Sequence, residues 1–101
     1  MHKKHKMYCL IRRDLKPSYQ ACQGGHAIAE YFITHGKHET WDNGTMIYLK
    51  IKNETQLLKI KSELEKDGIK CSSFIEPDIG HEHTALTCID TGERFKKFSL
   101  L

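Results

Sequence analysis

Glu76, Asp78 and Glu82 stand in one short polar stretch, with Thr84 just beyond it. A carboxylate placed there can take a proton from water or hold a lysine in position. Earlier in the chain, Gln23 and His26 lie three residues apart in a segment of helical character. An amide such as that of Gln23 both donates and accepts, so it can orient water or substrate; the alternative is a merely exposed helix glutamine with no such role. His26 carries a side chain whose pKa near neutrality suits a general base, and equally a ring bonded to a backbone carbonyl. Between them Gly24-Gly25 costs a helix roughly 1–2 kcal/mol against alanine, so a packed strand or a nucleic-acid backbone must come close to that turn. The trio His81-Glu82-His83 invites a metal reading. Histidines two apart point to opposite faces of a strand, and no further ligand set has metal spacing, so neither metal nor cofactor is expected.

Charge adds a second theme. Residues 1–16 carry six Lys/Arg against one Asp, a local +5, which leaves −2 over the rest of a chain whose net charge is +3. Arg12, Arg13 and Lys16 cluster at the end of the first apolar segment, and such a patch suits a phosphate-bearing partner. The plainer alternative is a solvated basic tail over residues 1–6. The four cysteines form no Cys-x-x-Cys pair and read as small core hydrophobes. No apolar run is long enough for a membrane span, and no signal segment is evident, so a cytoplasmic protein is expected. At 101 residues the expectation is one domain, 1–101, able to bury roughly two-thirds of its unfolded surface.

These residues need elements to hold them. Met7–Ile11 reads as a buried central strand. Pro17 ends that pattern, and Ser18 is placed to cap a helix running to about His35, with Ala21, Gly25, Ile28 and Phe32 as its apolar stripe, Ala27 and Tyr31 beside it, and Gly36 as its stop. Met46–Ile51 is a second strand. Asn53 and Gln56 resemble a capping box for a second helix, which buries Leu57, Ile60 and Leu64 and ends at Asp67-Gly68. Ile69–Ile75 and Thr84–Ile89 complete the strands, and a short tail follows from Arg94. The order β-α-β-α-β-β predicts an α/β three-layer sandwich, with a four-stranded mixed, mostly parallel sheet and right-handed crossovers.

At the first strand–helix junction the chain resembles the type II peptidyl-tRNA hydrolases of archaea and eukaryotes. Asp14-Leu15-Lys16 stands where that family has an Asp-Leu-Lys turn, and Gln23-Gly24-Gly25-His26-Ala27 where it has a glutamine before a His-Ala pair. The likeness continues through Trp41, the strand bearing Lys50, the helix ending at Gly68, an acidic loop, and Thr84. The family's glycine-lysine stretch is shortened here to Pro17-Ser18-Tyr19, and its Asp-Ala-Gly-x-Thr segment is replaced by the shorter run Glu76–His83.

The resemblance implies a carboxylic ester hydrolase that cleaves the bond between a peptide and the 3′ ribose of tRNA, and it implies a homodimer. A face carrying Tyr31 or Phe32 is one candidate for the dimer contact. Such a reaction needs a base, an oxyanion donor and cations for phosphate. In an open α/β sheet those groups gather beyond the carboxyl ends of the strands, where Arg12–Ser18, Asn53 and Glu76–Thr84 meet. Lys16, Gln23, His26, Asp78 and Thr84 are the expected catalytic set. Arg12, Arg13, Lys50 and Glu76 are the expected substrate-binding set, and tRNA is the expected partner. A non-catalytic tRNA- or RNA-binding module on the same fold is the alternative.

Overall fold

A computed structural model describes residues 4–101, so the first three residues of the basic tail lie outside the described residues. Strand β1 spans Lys6–Arg12, taking in the last residue expected to belong to the tail. Every position after Lys6 is buried, because β1 is an inner strand covered on both faces.

Helix α1 spans Pro17–His35 and is entered through Pro17, whose fixed φ suits a first helical position. Lys16 is therefore the N-cap, without a side-chain cap, and Ser18, expected to cap, falls inside the first turn. The buried face is Gln23, Gly24, Ala27 and Tyr31, rotated one position from the expected stripe. Ala21 and Gly25 are exposed, while Ile28 and Phe32 only flank the core. Gly24 sets that rotation. A Cβ there would lie 2.6 Å from Ile11 Cδ1, so the glycine lets the helix backbone settle on β1. Around Gly25 there is open space. Tyr31 is core, packed with Met7 and Ile89, which removes it from any exposed interface. Gly36 ends the helix with φ 70°, and its N–H returns to the Phe32 carbonyl.

Strand β2 is Met46–Ile51, as expected, and α2 is Glu54–Lys66. The Asn53 side chain accepts the Gln56 N–H at 3.0 Å, and Gln56 Oε1 accepts the Lys52 N–H at 2.6 Å, a capping box displaced by one residue on its return arm. Leu57, Ile60 and Leu64 bury as predicted. Strand β3 is shorter than expected, Cys71–Glu76, because the Ile69 N–H is used to close the end of α2 on the Leu64 carbonyl. Strand β4 is longer, Glu82–Asp90.

The strand order is β2-β1-β4-β3. Strands β1, β2 and β3 share a direction; β4 runs against them from between β1 and β3, so β1–β2 is the one parallel pair. Tyr8, Leu10, Leu49, Ile51, Leu86 and Cys88 face α2, while Cys9, Ile11, Ala27 and Ala85 form the core under α1. The tail is not loose. A 3-10 turn at Glu93–Phe95 buries Phe95, and Leu100 forms a bridge to Leu49 on the outer edge of β2. Cys9 and Cys88 are buried as expected of core thiols, whereas Cys22 lies exposed on α1. Burial pushes the Cys9 thiol up to about 12, which keeps it protonated and unreactive. Among the described residues no helix is long and apolar enough to cross a membrane.

Candidate active site

Because β1, β2 and β3 point the same way, their carboxyl ends share one rim, and β4 begins there. A register shift between Phe74 and Ile75 marks a bulge in the β3–β4 ladder. Its effect is to send two successive residues of β4 to the same side. Ala85 packs under α1, and Thr84 also reaches α1 instead of alternating away from it. The Thr84 hydroxyl donates to Gln23 Oε1 at 2.7 Å, and Gln23 Nε2 donates to Glu76 Oε2 at 2.7 Å. Glu76 Oε1 accepts the backbone N–H of Asp78 at 3.2 Å, closing the 3-10 turn Pro77–Ile79.

The chain has a direction and an outlet. Thr84 is fully buried and Gln23 is 3% exposed, so neither side chain presents itself to a bound molecule. Glu76 is half-buried and reaches the surface. The Gln23 amide, the Asp78 N–H and the nearby His26 ring hold the Glu76 carboxyl below the usual glutamate range, with the amide the largest influence. His26 is exposed and lies flat against Phe74, with ring centroids 4.4 Å apart and planes 13° off parallel.

Lys16 is exposed and is the N-cap of α1, so it stands at the rim end of the helix that carries Gln23. Its turn is pinned by Gln20, whose Nε2 donates to the Leu15 carbonyl at 2.8 Å and the Arg13 carbonyl at 3.4 Å. Nothing in the sequence pattern singles out Gln20, though an amide in the first turn of a helix entered through proline is a signal of that kind. Asp78 is exposed, and only its backbone N–H takes part.

A second polar cluster faces α2. The Arg12 side chain is 8% exposed; it grips Asp14 through Nε at 2.9 Å and Nη2 at 2.8 Å, and Nη1 reaches Glu82 at 2.7 Å and the His83 carbonyl at 3.1 Å. Four of the five N–H donors of the guanidinium are thereby committed. The arginine holds Asp14 below its ordinary range and is itself held firmly protonated. Beside it the His83 N–H donates to Glu54 Oε2 at 2.7 Å, and His83 Nδ1 lies 2.8 Å from Ser73 Oγ. Glu54 and Ser73 thus join the rim without any sequence motif to announce them. His81 is exposed, apart from His83, and no group of three or more metal-ligating side chains gathers among the described residues.

Of the predicted residues, Gln23, Glu76 and Thr84 form one hydrogen-bonded chain, with His26 and the Asp78 backbone beside Glu76. Arg12 is committed internally. Arg13 and Lys50 lie farther along the rim, toward β2.

The family model of peptidyl-tRNA hydrolase PTH2 matches residues 5–94, nearly the whole chain and all of this rim. The chain belongs to the PTH2 family. A solved structure of a protein of unknown function from Agrobacterium tumefaciens superposes with a TM-score of 0.73 over 100% of this chain and 99% of that one, at 13% identity. That likeness concerns the fold alone. None of the curated proteins matches the chain. The family match stops before Phe95, so the buried turn residue Phe95 and the strand-edge tail lie beyond it.

Proposed function

We propose that this PTH2-family chain hydrolyses the ester joining a peptide or aminoacyl adduct to the 3′ ribose of tRNA, with Glu76 as the working carboxylate. The observation that carries this reading is the Thr84–Gln23–Glu76 chain, a buried relay that ends on one half-exposed carboxylate at the rim. Water is added across the ester. Its oxygen attacks the carbonyl carbon, the bond to the ribose oxygen breaks, and the proton passes to that oxygen, leaving a free carboxylic acid and a 3′ hydroxyl.

Glu76 orients and polarises the water. A carboxylate with a depressed pKa is a weaker base, but it stays ionised over a wide pH range and its direction is fixed. Gln23 and Thr84 are positioning residues behind it. The exposed ammonium of Lys16, at the positive end of α1, faces the developing oxyanion or the terminal phosphate. His26 and Asp78 border the same opening.

Release of labelled peptide from N-blocked aminoacyl-tRNA is the test. Wild type should turn over, and Lys16→Ala should lower the rate on the order of 10²-fold, as loss of one oxyanion donor does. Asp78→Asn, which keeps the backbone N–H, should change it little. Tight tRNA binding without any turnover would overturn the hydrolase and leave an RNA-binding module on this fold.

A further inference from the structure

The tail beyond the family match builds something. The Lys50 N–H donates to the Ser99 carbonyl at 2.9 Å, and the Leu101 N–H donates to the Tyr48 carbonyl at 3.0 Å, so the last residues extend the sheet beyond β2. Phe98 packs against the core and anchors the segment. Lys97 is thereby brought to a groove that also holds Arg13, Lys50 and Lys52, floored by Phe98 and Ser99. The groove measures about 310 Å³ and lies open to solvent.

Four cations therefore line one furrow, and among the described residues none of them has a carboxylate partner. Some cations elsewhere are paired, Lys61 with Glu65, Lys96 with Glu93, and Arg94 with Asp67 and Asp90; what marks the groove is that it sets four unpaired cations side by side. Like charges gathered without counter-charges cost free energy in the unbound protein, and a polyanion recovers it by releasing its own counterions. The volume is at the low end for a small-molecule cleft, and the open shape suits a strand crossing the surface better than a compact ligand.

Position adds a second argument. Lys50, Lys52 and Arg13 lie at the carboxyl ends of β2 and β1, on the same rim as Glu76 at the end of β3. With the order β2-β1-β4-β3, the two places are three strand spacings apart, about 14 Å. A nucleic-acid strand rises about 3.4 Å per residue, so that span corresponds to about four stacked nucleotides.

We propose that this tail-built groove binds the phosphate backbone of RNA a few nucleotides from the ester held at Glu76. The proposal rests on the tRNA reading for its register and on the groove's own charge for its chemistry. Lys97 makes the tail part of the RNA-binding surface.

The experiment measures binding of unacylated bulk tRNA to the full chain across a salt series, alongside peptide release. In the triple variant Lys50→Gln, Lys52→Gln, Lys97→Gln the slope of log affinity against log salt should fall by about 2–3, and affinity near 0.1 M salt should drop on the order of 10- to 100-fold. KM should rise with kcat retained. A control triple, Lys59→Gln, Lys66→Gln, Lys70→Gln, should leave the slope near wild type. Equal slopes in all three proteins overturn the groove while leaving hydrolysis intact. A groove-dependent slope with no turnover in wild type keeps the groove and overturns the hydrolase. Binding of polyglutamate or phosphatidylserine vesicles as tight as tRNA, and lost in the same variant, would overturn RNA as its ligand.

Discussion

Two polar clusters occupy the same rim of the sheet and use their groups in opposite ways. On the α2 side, Arg12 closes on Asp14, Glu82 and the His83 carbonyl, and most of its donors are satisfied inside the molecule. On the α1 side, Thr84 and Gln23 are satisfied by one another, and the chain ends on Glu76 at the surface. A closed network holds a loop; an open one holds a reactive group. On the proposed function, the open cluster is the one that serves chemistry and the closed one holds its loop.

Substitutions should separate the two. The largest effect is expected from Glu76→Gln, which should cut peptide release by about 10²–10⁴-fold, the usual worth of a positioned base. Its thermal midpoint should stay near wild type. Should the variant keep its rate, the open chain is not the site.

Thr84→Val comes next. It leaves Gln23 Oε1 buried without its donor, a loss of about 1–3 kcal/mol, and it loosens Glu76. Denaturant unfolding and rate should both respond. Loss of stability with an unchanged rate would reduce the relay to packing.

Arg12→Met should show the reverse pattern. Removing the cation strands two carboxylates, but these are about 40% exposed, so the cost is discounted to about 1–3 kcal/mol in stability. The folded fraction should keep its rate. That stability difference has a pH signature. Asp14 has its folded pKa depressed, so its contribution is present above the unfolded value and lost as pH falls through the folded one. The gap between wild type and Arg12→Met should therefore narrow on acidification.

The smallest effect concerns the glycine pair. Gly25→Ala should stabilise by about 0.5–1 kcal/mol, since the site is open and helical. Gly24→Ala should gain less than Gly25→Ala, because its Cβ would meet the Ile11 Cδ1 methyl at 2.6 Å and that methyl must move aside. Matched thermal melts decide between them.

These contrasts also mark what sequence can and cannot convey. Gly36, Asn53 with Gln56, and the Leu57/Ile60/Leu64 face were legible because caps and amphipathic periods are local. The lower limit of β3 and the rotation of α1 were not. One depends on a hydrogen bond back to Leu64 and the other on how closely Gly24 approaches Ile11. Gln23 and Thr84 could be nominated from the family pattern, but their burial follows from a bulge that re-aims one residue of β4. Arg12 shows the converse, since its charge suggested a ligand while its partner Glu82 lies seventy residues away in sequence. Tail residues 96–101 carry no periodic signal, and their attachment to β2 is wholly long-range.

The most direct test is the pH–rate profile for peptide release from N-blocked aminoacyl-tRNA by wild type and Gln23→Leu. Wild type should turn over with an acidic limb below the ordinary glutamate range, because the Gln23 amide favours the charged form of Glu76. Without that hydrogen bond the carboxyl pKa rises, so the limb should move to higher pH and the plateau rate should fall. Identical profiles for the two proteins, or no turnover by wild type at any pH, would contradict the account.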